Sequence, residues 1–436
     1  MAARSRRTIS IVFAVVFLDL LGFGIIIPIL PFYVRAFGAN ELVIGLLAAS
    51  YSAMQFMFAP ILGQLSDRRG RRPVILLSVL GSAIAWTLFG LAEGLFLLFV
   101  SRMLAGAMGG NIAAAQAYVA DVTPPEERAK SLGLLGAAFG LGFIFGPGIG
   151  AVFTFEVVVN FFQNLIPWVA INQFSLPSFV AAFLALLNFL VAYRFLPESR
   201  ELADTPSVYE SQLAQLKSAI TNENVRGLLI AFFLISFAFS GVQIMFIPFV
   251  ADIYGYTESQ SALLLTYIGV LGVLVQGVLI GRLTKRYTES RLAVAGTALL
   301  TISLFGIPAA PLVGELLFPS LTSVAPFLTE QLLGLLAVLA VLSLGNGVVN
   351  VTLTTLVSQN ASADRQGSAL GLTQGSGSLA RTFGPVLMGG IYAAIGYWSP
   401  FALGGLLLLP VLVIGLQLAR NDEKNNPTVS ESDLTH

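Results

Sequence analysis

Residues Gly63 to Pro73 read GQLSDRRGRRP, with Asp67 set among four arginines, Arg68, Arg69, Arg71 and Arg72. Gly63 and Gly70 at the two ends of the cluster permit close helix approach and a sharp reversal. On either side lie apolar runs, near 43–65 and 74–92, of a length to cross a hydrocarbon core of about 30 Å, which takes roughly 20 helical residues. The stretch therefore predicts two membrane-spanning helices joined by a short cationic turn.

Working outward, the same pattern recurs along nearly the whole chain. Spans are expected near 9–33, 43–65, 74–92, 95–120, 131–154 and 176–196, and again near 226–250, 259–281, 292–312, 327–356, 367–393 and 400–419. Of the 436 residues 56% are hydrophobic and only 11% charged, against about 25% charged in soluble chains. Lipid is the expected solvent for an all-α protein of about twelve spans. The run from Ile9 to Leu30 exceeds the 7 to 15 residues of a cleavable signal core, so it reads as the first span.

Placing the N-terminus in the cytoplasm puts 20 of the 23 Lys and Arg on the cytoplasmic side, leaving only Arg35 outside and Arg102 and Arg381 within spans. That bias is what the positive-inside rule requires, and a wrong span count would scatter it. Both termini are therefore expected in the cytoplasm. The strongly polar connector 197–225 divides an N-terminal six-helix bundle, 1–196, from a C-terminal one, 226–420, with a tail at 421–436. Within the connector, YESQLAQLKSAI has the makings of a surface amphipathic helix or of a plain solvated linker. The segment 155–175, FEVVVNFFQNLIPWVAINQFS, is apolar but carries Pro167, Trp168 and Asn residues, and is expected as an outer interfacial elaboration.

The halves repeat one another. Pro31-Phe32 matches Pro248-Phe249 at an offset of 217, and Phe145-Gly146-Pro147 matches Phe383-Gly384-Pro385 at an offset of 238. Both halves enter the membrane in the same direction, which predicts two pseudo-symmetric bundles around a central cavity.

Several functions are excluded or disfavoured. A net charge of zero offers nothing to nucleic-acid phosphates. The chain has no cysteine, and its single histidine is His436, the last residue. No cofactor, metal or enzymatic activity is expected. A pore needs symmetry-related linings, yet Asp19 corresponds to Ser236 in the second half.

Three further stretches carry chemistry. Asp19 in FLDLLGFGIIIPILP is the only carboxylate expected near the middle of a span. Arg102, in FVSRMLAGAMGGNIAAAQAYVAD, is an intramembrane cation that needs a partner or a water-filled cavity. At about 1.5 Å per residue, Asp19 is roughly 15 Å and Arg102 roughly 19 Å from the inner surface, so the two could meet. Span 5 holds GLGFIFGPGIG, in which Gly142, Gly146 and Gly150 form a small-residue face and Pro147 a kink.

The Gly63–Pro73 loop resembles the major facilitator signature G-x-L-x-D-R-x-G-R-R at every fixed position. Arg102 and Gly106 resemble the R-x-x-x-G of its proton-coupled members. Asp19, Gly22, Pro28 and Pro31 resemble span 1 of the drug/proton antiporters, tetracycline carriers among them. The order G-x-x-x-G-P-x-x-G resembles the family's antiporter signature. The likeness covers about residues 10–420. It implies a latch across the cytoplasmic face, stabilising an outward-open state, from Gly63, Asp67, Gly70 and Arg71, with Asp121 at the inner end of span 4. It also implies proton coupling at Asp19 and Arg102. The second-half copy, GRLTKRY at Gly281, has Lys285 in place of the aspartate, so the latch should be one-sided. Where tetracycline carriers have acidic residues in spans 3 and 9, this chain has Ala85 and Leu300.

The expected activity is export of an amphiphilic small organic molecule in exchange for protons, by a monomer in the bilayer. Uptake by proton symport is the alternative within the class, and a non-transporting receptor the alternative outside it. Candidate substrate ligands are Tyr51, Gln55, Asn111, Gln116, Gln243, Tyr267, Gln276, Asn346, Asn350 and Arg381; each could equally make an interhelical hydrogen bond.

Overall fold

The computed structural model describes residues 2–109, 111–123, 125–199, 223–323, 325–360 and 366–425. Most of the connector 197–225 and of the tail 421–436, His436 included, lies outside the described residues. The helices are α1 Ala2–Ile26, α2 Leu30–Ala36, α3 Glu41–Arg69, α4 Arg71–Gly90, α5 Leu95–Met108, α6 Asn111–Val122, α7 Pro125–Thr154, α8 Glu156–Leu165 and α9 Ser175–Phe195. There follow α10 Glu223–Tyr254, α11 Glu258–Leu274, α12 Glu289–Leu317, α13 Glu330–Asn360, α14 Gln366–Ile395 and α15 Ser399–Asn425. Eleven spans among the described residues are long and apolar enough to cross a bilayer. The thirty residues of α14 reach about 45 Å at 1.5 Å per residue, enough for a twelfth. This is a multi-pass integral membrane protein. Below, the end carrying Arg71 is called inner and the end carrying Arg35 outer.

One expected span is not a single helix. Span 1 stops at Ile26 and restarts at Leu30, because Pro28 has no N–H to continue the ladder, while Pro31 sits in the first turn of α2, where a missing N–H is harmless. Span 4 runs from Leu95 to Val122 and comprises α5 and α6, described up to Gly109 and from Asn111 onward. Span 8 continues from α11 through a π-helical turn, Val275–Leu279. The 155–175 segment contains α8, whose ten residues reach only about 15 Å and so cannot span.

Packing divides the chain into two compact units. The first is Met1–Val208 with Gln243–Gly269 and Pro385–Ala393, so the outer parts of α10, α11 and α14 belong with the first-half helices; the second is the remainder. The inner core of the first unit gathers Val12, Val16 and Leu20 of α1, Val74 and Val79 of α4, Tyr118 of α6 and Leu135 of α7. In the second unit α12 packs along α13 and α15.

Candidate functional site

The glycines of α7 are explained by what lies against them. A Cβ on Gly142 would stand 2.8 Å from Leu20 Cβ, one on Gly146 2.6 Å from Gly24 Cα, and one on Gly150 2.8 Å from the Ile25 carbonyl oxygen. The small-residue face is thus the seat of α1 over the turns just after Asp19, and helices approach this closely in lipid only through such residues. Pro147 lies inside an unbroken α7. On another side of α1, Asn188 of α9 is fully buried and its Nδ2 donates to the Val15 carbonyl at 2.8 Å, four residues before Asp19. Asp19 itself is half-buried.

Arg102 is 5% exposed and lies in the first unit with α1 and α3. Any Cβ at Gly106 would strike the backbone of Tyr51, so this glycine lets α5 touch α3 and brings Arg102, one turn away, onto the Tyr51 ring. The guanidinium carbon is 4.6 Å from the Tyr51 centroid and 5.6 Å from that of Phe23, while Nε makes no hydrogen bond. Among the described residues Arg102 forms no ion pair: its charge rests on aromatic faces and not on the Asp19 carboxylate. Phe23, which Arg102 touches, follows Asp19 by four residues and shares its helix face. Phe23 also meets Phe143 of α7 edge-on, with ring centroids 5.9 Å apart.

The sequence-derived ligand set is scattered between the units. In the first, Tyr51 lies under Arg102 of α5, and Gln55 Nε2 donates to the Gly109 carbonyl, where α5 ends, at 3.2 Å. Gln116 is exposed, Gln243 and Tyr267 are half-buried, and the Asn111 side chain lies outside the described residues. In the second, Asn350 Nδ2 donates to the Asn346 side chain at 2.9 Å, and Gly347 fits against Val275 and Gln276 of the π-helical turn. Arg381 is exposed, with Nη2 donating to Ser378 Oγ at 3.1 Å. Ala85 and Leu300 are buried, at 0% and 1% exposure.

At the inner end Arg71 is the hub. It pairs with Asp67 at 2.6 Å and with Asp121 at 3.1 Å, and Nη1 donates to Ser66 Oγ at 2.7 Å. Gly63 has open space around it. Beside Gly70, the Glu198 carboxylate accepts from the Arg71 and Arg72 amides at 2.8 and 3.2 Å, closing the N-terminus of α4 where a negative charge is favoured. Ser199 Oγ donates to Asp121 at 3.2 Å. The cluster ties the inner ends of α3, α4, α6 and α9. Sequence reasoning missed Glu198 and Ser199, which sit 127 residues from Arg71 and 78 from Asp121, with no pattern to connect them.

At the outer end a second cluster was not foreseen at all. Arg35 Nη1 and Nη2 donate to the two Asp252 oxygens at 2.7 and 2.9 Å, and Nε and Nη2 donate to Glu41 at 3.1 and 2.6 Å. Tyr392 OH donates to Asp252 at 2.5 Å. Burial alone would lower the proton affinity of Arg35, but hydrogen bonds to Asp252 and Glu41 outweigh it and hold the guanidinium above its ordinary range. The cluster joins α2, α3, α10 and α14. Close by, Gly45 and Gly389 have α14 and α3 backbone against them, and Thr154 and Ser259 share a buried hydroxyl contact of 2.7 Å. Arg35 and Asp252 are 217 residues apart, the offset that relates Pro31 to Pro248. The signal was present: Arg35 was the one cation on the wrong side, and the repeat offset points from it to an aspartate.

Eleven spans among the described residues, with ionic clusters around Arg35 and Arg71 and a buried Arg102, describe a multi-pass membrane protein with charged groups placed at both ends and within it. The Major Facilitator Superfamily model matches residues 12–324 and 312–435, and the chain belongs to that family. It is 30% identical over 389 residues to the class B tetracycline resistance protein of Escherichia coli, covering 88% of each chain. It is 27% identical over 417 residues to multidrug resistance protein 2 of Bacillus subtilis (strain 168), covering 94% of each. Among solved structures, the human organic anion transporter MFSD10 shares the fold with a TM-score of 0.65 at 23% identity, over 94% of this chain and 99% of that one.

Proposed function

We propose that this protein is a proton-coupled antiporter that exports an amphiphilic small organic molecule by alternating access, as a monomer with both termini in the cytoplasm. The observation that carries the reading is the arrangement around Asp19. The turns after this carboxylate are seated on the glycine face of α7, and the buried Arg102 rests on Phe23, one turn beyond it. A cation held by π faces in a low-dielectric site has an alternative resting place on a carboxylate. Loss of the Asp19 proton draws Arg102 toward the carboxylate, and protonation returns it to Tyr51 and Phe23. Movement of α1 against α7 follows the proton in this scheme.

Relatives named for tetracycline and multidrug resistance support export. A metal–tetracycline complex is not the substrate proposed, because Ala85 and Leu300 stand, buried, at the positions aligned with acidic residues of those carriers. Arg381, exposed within α14, favours substrates bearing a carboxylate or phosphate, and a structural neighbour is titled an organic anion transporter. The Asp67, Arg71 and Asp121 cluster is the inner latch.

The test is transport in proteoliposomes under an imposed pH gradient, acid on the outer side. Asp19→Asn is expected to abolish pH-driven flux while the protein stays folded and exchanges substrate for substrate. Undiminished pH-driven flux in that variant removes Asp19 from the coupling step, and absence of saturable counterflow in the unaltered protein removes the carrier reading.

A further inference from the structure

We propose that α8 is an in-plane anchor seated in the outer interface of the bilayer, with lipid as its partner. The argument needs only that the chain spans a membrane, and rests on how α8 divides its circumference. At 100° per residue one side of the helix holds Val159, Phe162 and Ile166, which pack with Phe153, Ile171 and Leu176 of the same unit. A second side presents Val157, Phe161 and Leu165, exposed at 81%, 61% and 56%. The third carries Glu156, Asn160 and Asn164, all exposed.

A helix in a watery loop has use for two such faces, protein and solvent. Three faces in the order protein, apolar, polar match a helix lying along the protein wall at the headgroup boundary, with its apolar side about 5–10 Å into the interface. Trp168, exposed at 80%, follows directly, and tryptophan favours this depth because its ring is apolar and its N–H polar. The spans it joins also expose apolar side chains, Val152 of α7 and Phe183 of α9. The segment is held in one orientation: Gln163 Nε2 donates to the Ile171 carbonyl at 2.7 Å, and Asn172 Oδ1 accepts from the Phe174 and Ser175 amides at 2.8 Å. Glu156 is the only charged residue of 155–175, so seating rests on apolar burial and not on headgroup charge. The anchor begins two residues after Thr154, whose hydroxyl meets Ser259, and so sets the depth of the outer end of α7.

The absence of cysteine makes the test direct. Asn160→Cys and Phe161→Cys, neighbours on different faces, are reconstituted separately in phosphatidylcholine vesicles and treated with a membrane-impermeant maleimide. The cysteine at 161 is expected to react roughly tenfold more slowly than that at 160, the protection given by burying a side chain of that size. In a Trp86→Phe/Trp398→Phe background, Trp168 emission is expected to fall with lipid brominated high on the acyl chain, less with bromine near the terminal methyl, and to be unchanged when anionic phosphatidylglycerol replaces phosphatidylcholine. Equal labelling of the two cysteines, or quenching of Trp168 by iodide in water and not by brominated lipid, overturns the proposal. Disulfide-linked dimers through position 161 also overturn it, in favour of a second copy as the occupant.

Discussion

Replacing Arg35 by Gln should release the outer end. In the structure one guanidinium holds two carboxylates through four charge-assisted hydrogen bonds, and Asp252 takes a fifth from Tyr392. Fully buried, such bonds are worth about 1.5–3 kcal/mol each. Here the side chains of Arg35, Glu41 and Asp252 are 26%, 15% and 39% exposed, which brings each pair toward the roughly 0.2–1 kcal/mol of solvent-screened ion pairs. A combined value of about 2 kcal/mol is reasonable for two pairs that share one cation. At about 1.4 kcal/mol per factor of ten, that is a roughly 25-fold shift in the equilibrium between closed and open outer ends. Ser259, 7% exposed beside Thr154, is a reporter in this cysteine-free chain: alkylation of Ser259→Cys from the outer side proceeds through the open fraction. Arg35→Gln should raise that rate roughly 10- to 25-fold. Asp252→Asn should act in the same direction through the Arg35–Asp252 pair that both variants lose, and the double variant should add little beyond Arg35→Gln. Because hydrogen bonding holds Arg35 above the ordinary guanidinium range, its charge persists at every working pH. Protonation of Arg35 itself, lost only as pH rose through that raised value, therefore contributes no pH dependence. A rate within about twofold of the parent, or full additivity in the double variant, would refute the assignment of this cluster as an outer gate.

Asp67→Asn weakens one of the two carboxylate contacts of Arg71 and should slow exchange roughly tenfold, as about 1.4 kcal/mol in the barrier gives, with little change in half-saturating substrate; a large affinity loss at unchanged turnover would contradict the latch. Arg381→Gln should weaken transport of anionic substrates and spare neutral ones in the same vesicles, whereas equal loss for both, or misfolding, would make Arg381 structural. Gly146→Ala places a methyl against Gly24 backbone and should destabilise the protein by about 1–3 kcal/mol, read as a lower unfolding temperature in detergent. Gly136→Ala, where nothing lies within 4 Å, should be neutral or slightly stabilising through helix propensity.

Hydropathy and charge decided the architecture before any contact was known. Each span must satisfy its own backbone in lipid, so apolar runs of the required length mark out about twelve helices locally, and one-sided cations give the expected direction. The turn in the Gly63–Pro73 loop was legible because Gly70 acts locally, through a positive φ; the span 5 glycines were legible as a small-residue spacing, while only the tertiary structure shows that α1 is what they seat. Tertiary structure alone decided who pairs with whom. Arg102 had a suitable carboxylate at similar depth in Asp19, yet rests on Tyr51 and Phe23 because Gly106 lets α3 in against α5. Glu198 reaches the start of α4 only because α9 packs along it. Arg35 meets Asp252, 217 residues away, because the outer parts of α2 and α10 share one compact unit. Depth along a helix axis can be counted from sequence, but the rotation of a helix about that axis is set by packing against its neighbours, and rotation is what chooses the partner of a charge.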